Sequence, residues 1–102
     1  MRKLTVKRKW SFIESGSKIY LYVQCSKANS THNIGGNYFV QIPIKNGKTV
    51  TADITDEPTI IMIGSNTAYT PYTVPAGTDD VNLLTKPHYS PAKGNPFTFE
   101  KC

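Results

Sequence analysis

Apolar and polar side chains alternate with a period of two through most of this chain, which predicts strands rather than helices. Leu4, Val6, Trp10 and Phe12 fall on even positions, with Lys3, Thr5, Lys7, Lys9 and Ser11 on odd ones; only Arg8 interrupts the pattern. Ser15-Gly16-Ser17 marks a turn. The next run, from Lys18 to Cys25, sets Ile19, Leu21, Val23 and Cys25 on one face and Tyr20, Tyr22 and Gln24 on the other. Its β-branched and aromatic content suits a strand, and these first two strands read as a hairpin.

Residues 26–37 are polar, contain few core formers and carry Gly35-Gly36, so they read as a long exposed loop. Alternation resumes at Tyr38, with Val40, Ile42 and Ile44 on the same face, and Pro43 marks an edge or a strand end. Asn46-Gly47 follows, a pair suited to the positive φ of a type I′ turn. It predicts a hairpin whose return strand runs from Lys48 to Ile54 with Val50, Ala52 and Ile54 inward. Asp56-Glu57-Pro58 is a turn. Thr59-Ile-Ile-Met-Ile63 is apolar on both parities, as a central strand covered on both faces would be. After a break at residues 64–67, extended patterns cover 68–74 and 81–84. A turn at 75–80 separates them, with Gly77 at its left-handed position. Lys86-Pro-His-Tyr-Ser-Pro-Ala-Lys-Gly-Asn-Pro96 excludes helix and central strand. Phe97 to Lys101 reads as a last strand with Phe97 and Phe99 inward.

No window has sustained helical spacing, so the chain is expected to be all-β. The expected architecture is one antiparallel sandwich of about seven or eight short strands over residues 1–102, with a small OB-like barrel as the alternative. The expected core is Leu4, Val6, Trp10, Phe12, Ile19, Leu21, Val23, Val40, Ile42, Val50, Ile54, Ile61 and Ile63.

Composition narrows the classes without naming an activity. The 102 residues allow one domain, and two cysteines are too few for a disulfide scaffold. Cys25 ends an apolar run and reads as a small buried hydrophobe, with no signal that pairs it to Cys102. No apolar run reaches the length of a membrane span. The basic start has no apolar stretch behind it, which points to a cytoplasmic chain, or to a surface or secreted one whose leader has been removed. The net charge is +5, and Arg2, Lys3, Lys7, Arg8 and Lys9 supply it, because the remainder holds seven charges of each sign. Those cations are most simply the solvated face of a terminal strand.

Catalytic and metal chemistry find little support. His32 and His88 sit in separate polar loops, with no Cys-x-x-Cys or His-x-x-x-His spacing. The serines lack a strand-to-helix elbow, and neither cysteine has a neighbouring cation or helix start to activate it. The carboxylates occupy turns and strand ends, where Asp is favoured for backbone reasons. Gly35-Gly36 lacks the following helix of a phosphate cradle. No catalytic, metal or cofactor residue is therefore expected. A binding surface would draw on Lys3, Lys7, Lys9, Tyr20, Tyr22, His32, His88 and Tyr89. Lysines beside exposed tyrosines suit single-stranded nucleic acid, while Tyr20, Tyr22, Tyr69, Tyr72 or Tyr89 would suit carbohydrate stacking.

Leu4-Thr-Val-Lys-Arg-Lys-Trp-Ser-Phe12 followed by Lys18-Ile-Tyr-Leu-Tyr-Val23 resembles the opening of small bacterial, mainly Firmicute, PEGA-type and DUF2846-like β-sandwich modules. Ile44-Lys-Asn-Gly-Lys-Thr-Val50 and Val74-Pro-Ala-Gly-Thr-Asp-Asp-Val81 are similar to later turns of the same group. The resemblance spans roughly residues 4–83. It departs at Asp80, where a His is usual, at the missing Asp-Gly after the second strand, and at the inserted loop 26–37. It implies a β-sandwich of adaptor or surface-associated type without catalysis, and carries over no functional residue. Taken together, these readings predict a non-catalytic module that binds a protein partner or a second copy. The long loops at 26–37 and 85–96 or an unpaired sheet edge would be the recognition surface.

Overall fold

Every even-numbered side chain from Arg2 to Arg8 is buried in the computed structural model, which describes residues 1–10, 19–64, 69–87 and 97–101. This first strand, β1 (Arg2–Arg8), is followed by β2 (Tyr20–Gln24), a 3-10 turn at Lys27–Asn29, β3 (His32–Ile34) and β4 (Asn37–Pro43). Then come β5 (Thr49–Ile54), β6 (Thr59–Gly64), β7 (Tyr69–Val74), β8 (Val81–Pro87) and β9 (Phe97–Lys101). One sheet has the order β5-β1-β8-β9, the other β3-β4-β2-β6-β7. The all-β sandwich expected from the alternation is what forms. Among the described strands, the one departure from antiparallel pairing is β1 beside β8, which run parallel with Leu4 opposite Val81.

The core between the sheets contains Leu4, Val6, Ile19, Leu21, Val23, Ile44, Ile54, Ile61, Ile63, Val74 and Leu83, with Val40, Ile42, Val50, Ala52, Tyr72, Val81 and Phe99 packed at its margin. Each fully buried aliphatic side chain contributes about 1.5–3 kcal/mol. Two expected core members differ. Trp10 is 55% exposed, because β1 ends at Arg8 and the chain leaves the sheet before the alternation can turn the indole inward. Phe12 lies outside the described residues, as do the turn at 15–17, the break at 65–67, His88, Tyr89, Cys102 and most of the 85–96 loop; nor is the side chain of Phe97 described.

Both expected hairpins are corrected. β1 and β2 lie in different sheets, and so do β4 and β5. The 45–48 turn forms, with the Lys48 N–H donating to the Lys45 carbonyl at 2.9 Å and Gly47 at φ 75°. It carries the chain across the sandwich, and β5 pairs with β1 instead of β4. The tight hairpin lies one turn earlier, within the stretch read as a loop. β3 and β4 pair with Ile34 opposite Asn37, and Gly35 (φ 60°) and Gly36 (φ 86°) supply the two positive φ values of a type I′ turn. Gly77 does not have positive φ. Its N–H donates to the Asp56 carbonyl at 2.9 Å, tying the 75–80 turn to the 55–58 turn.

The two arginines of β1 hold these crossovers. Arg2 donates through Nε to the Thr55 carbonyl (3.0 Å) and through Nη2 to those of Glu57 (3.2 Å) and Pro75 (2.7 Å). Arg8, 2% exposed, donates through Nη1 to the Ile44 carbonyl at 2.9 Å. Arg8 therefore continues the inward face instead of interrupting it. Guanidinium groups serve here because a crossover leaves backbone carbonyls pointing at the strand end, and each charge-assisted bond is worth about 1.5–3 kcal/mol.

Candidate functional site

The outward side chains of β1 meet those of β5 in register: Lys3 opposite Asp53, Thr5 opposite Thr51, Lys7 opposite Thr49. Lys3, Lys7 and Lys9 are all exposed, as expected. They do not form one basic stripe. Lys3 faces Asp53, and its backbone N–H donates to Asp80 Oδ1 at 2.8 Å. Further across the sheet Lys86 bridges Glu100 at 2.6 Å.

The fold sorts charge lengthwise instead. Asp53, Asp56, Glu57 and Asp80 gather around the start of β1, where Asp56 also meets the N-terminal ammonium at 3.8 Å. Lys45 and Lys48 join Lys7 and Lys9 at the other end, since the Arg8 N–H donates to the Lys48 carbonyl at 2.9 Å. Trp10 lies there too. A Cβ placed on Gly47 would come within 3.2 Å of its ring, so the indole rests on the 45–48 turn. Neutrality along the sequence had hidden this polarity, because Lys45 and Lys48 reach the basic end only through the crossover.

Among the described residues, Tyr20, Tyr22 and Tyr72 do not form an exposed stacking shelf. Tyr22 has 0% exposure on the outer face of the five-stranded sheet, in a second apolar cluster with Phe39 and Met62 and with Tyr20, Ile34 and Ile60 packed against it. Its hydroxyl accepts a bond from Gln41 Nε2 at 2.9 Å. His32 joins this cluster edge-on to Tyr22, ring centres 5.5 Å apart, with Nδ1 at 2.8 Å from Thr31 Oγ1. Tyr20 is half-buried beside Tyr22. Tyr22 and His32 are thus packing residues, and Tyr72, against Phe99 at 5.4 Å, belongs to the core margin.

Backbone groups offer the more open chemistry. The Arg8–Lys48 bond fixes the ladder phase, so the even residues of β5 bond to β1. The N–H and C=O groups of Thr49, Thr51 and Asp53 point away from the sheet, and among the described residues nothing bonds to them. The other edges are blunted. β3 has three residues, β7 carries Pro71, and β9 carries Glu100 and Lys101 on the side where Phe99 meets Tyr72 of β7. β5 has neither Pro nor Lys, and it keeps regular register with β1 over its whole length.

Cys25 is a free, partly buried thiol, and desolvation pushes its pKa up, opposite to the shift that activates a nucleophile. Among the described residues no three His, Cys, Asp or Glu side chains come together in a metal-binding group, and no helix is long and apolar enough to cross a membrane. Comparison with protein-family models, curated proteins and solved structures finds no match in any of the three.

Proposed function

We propose that this chain is a non-catalytic β-sandwich module that binds a protein partner by accepting a strand on β5. The observation that carries the reading is the row of N–H and C=O groups at Thr49, Thr51 and Asp53, to which nothing bonds among the described residues, on a regular edge without Pro or Lys. An added strand would satisfy those groups, and its alternate side chains would meet Val50 and Ala52, which are only half-buried on the core side. The adaptor character implied by the sequence resemblance agrees with this reading. The test is an NMR titration of the labelled chain with an extended alternating Thr–Val peptide ending in Glu on one side and Lys on the other. Shifts centred on the amides of Thr49, Thr51 and Asp53 are expected; shifts centred on β3, β7 or β9, or none, would reject it.

A second reading, single-stranded nucleic acid, is favoured by one observation at a different place. Trp10 is 55% exposed on a turn bearing Lys45 and Lys48, with Lys7 and Lys9 on the adjoining strand end. A half-exposed indole on the same end of the fold as four lysines is the local recipe for base stacking with phosphate neutralisation.

A further inference from the structure

The charges flanking β5 identify what fits its edge. Reading along the chain, Lys45 and Lys48 precede the strand, while Asp53 lies next to its last residue and Asp56 and Glu57 follow. The strand is therefore polarised, basic at its start and acidic at its end. An antiparallel strand matches it only with the opposite polarity in space. A second β5 turned through a two-fold axis has that polarity.

We infer that the partner of the β5 edge is a second copy of this chain, paired β5 to β5 antiparallel about a two-fold axis at Thr51. This rests on the strand-addition reading above and adds the identity of the strand. The phase of the ladder limits the possible registers. Only Thr49, Thr51 and Asp53 present outward groups, so odd residues must bond to odd residues. Centring on Thr51 uses all three: Thr51 bonds to Thr51 of the second copy, and Thr49 to its Asp53. Shifting the axis by one residue either way leaves one of the three unpaired.

The same register aligns the charges. Asp53 of the second copy lands beside Thr49, whose neighbour across β1 is Lys7. The 45–48 turn is brought toward the 55–58 turn of the second copy, setting Lys45 and Lys48 against Asp56 and Glu57. Stacking basic end on acidic end would use the same complementarity but would not close, giving open filaments; the two-fold pairing closes at two copies. It also joins the two four-stranded sheets into one of eight strands and removes the exposed edge. An edge contact of this length buries less than a standard interface, so the dimer should depend on concentration and weaken with salt.

The experiment uses the full chain with Cys25→Ser and Cys102→Ser, and reads mass by sedimentation across concentration and salt. The expected mass rises from 11.3 kDa toward twice that value. Thr51→Lys, which sets like charges opposite each other at the axis, should weaken association by at least about tenfold. The pair Lys45→Glu with Glu57→Lys should associate like the parent, while Lys45→Glu alone should not. Thr51→Cys in the same background should form a disulfide dimer on mild oxidation, since a bonded antiparallel pair sets Cα atoms about 5.5 Å apart, within disulfide range. A chain that stays at 11.3 kDa, with no Thr51→Cys dimer, overturns the inference. If it does so while the Thr–Val peptide still shifts Thr49, Thr51 and Asp53, strand addition stands with a foreign partner. If neither association nor peptide binding occurs, both fail. Association that Thr51→Lys leaves unchanged also overturns the two-fold pairing.

Discussion

Arg2 and Arg8 stand at opposite ends of one strand, both pointing into the protein, and each holds the backbone of a crossover between the sheets. The pair accounts for why a short sandwich with several crossovers keeps β1 in register. It also removes two cations from the charge that the N-terminal segment offers to solvent.

The first prediction concerns these arginines. Arg2→Ala loses three carbonyl bonds and should cost about 3 kcal/mol or more, and Arg8→Ala about 2–4 kcal/mol, by urea unfolding. Lys3→Ala and Lys7→Ala, on the exposed face, should stay within about 0.5 kcal/mol of the parent. Equal effects from all four would refute the structural role.

Glycines distinguish local strain from packing. A Cβ on Gly35 meets nothing within 4 Å, so Gly35→Ala should cost only the left-handed backbone penalty, about 1–2 kcal/mol. Gly47→Ala has the same left-handed backbone penalty and adds a tight contact with the indole at 3.2 Å, to which the ring must yield by a few tenths of an ångström. It should also shift the emission of Trp10, the chain's one tryptophan, whereas Gly35→Ala should leave that emission unchanged.

Tyr22 should behave as a core residue. Tyr22→Phe removes the acceptor of the Gln41 bond and should cost about 1 kcal/mol, while Tyr22→Ala should cost about 3–5 kcal/mol. A Tyr22→Ala chain of parental stability would return this residue to the surface.

The period-two pattern made individual strand faces legible: Leu4 with Val6, Ile19 with Leu21 and Val23, and Ile61 with Ile63 all point inward as the alternation predicts. The pattern did not show which strands pair. Two successive strands with matching inward faces can lie side by side or pack face to face across a core, and Asn46-Gly47 suits a tight turn in either case. The buried arginines were hidden for a related reason. Their partners are carbonyls at 44, 55, 57 and 75, which meet β1 only once the crossovers form. Tyr22 fell on the face opposite the aliphatic core, and nothing local told that a second apolar cluster covers that face. Of the residues picked for binding, the lysines kept their exposure, Tyr22 and His32 became packing residues, and the β5 edge carried no side-chain signature at all.

The nucleic-acid reading has its own optical test. Binding of a single-stranded oligonucleotide should quench Trp10 and should weaken with salt at a logarithmic slope of about −3 if four lysines each neutralise a phosphate. Absence of quenching, or quenching indifferent to salt and to Lys45→Ala with Lys48→Ala, would rule it out.

Cys25 should be a slow nucleophile. With Cys102→Ser in place, its alkylation by iodoacetamide at pH 8 should run slower than that of a free thiol, because burial disfavours the thiolate and holds the pKa above its ordinary value. The rate should still be climbing where an unperturbed thiol levels off. A rate that plateaus near neutral pH would contradict the burial argument.

Amide hydrogen exchange along β5 tests the docking edge most directly. In dilute solution the amides of Val50, Ala52 and Ile54, bonded to β1, should exchange slowly while those of Thr49, Thr51 and Asp53 exchange quickly. As concentration rises, or as a strand peptide is added, protection should appear at Thr49, Thr51 and Asp53 together. Slow exchange at these three in the dilute chain, or fast exchange under every condition, would contradict an edge built to accept a strand.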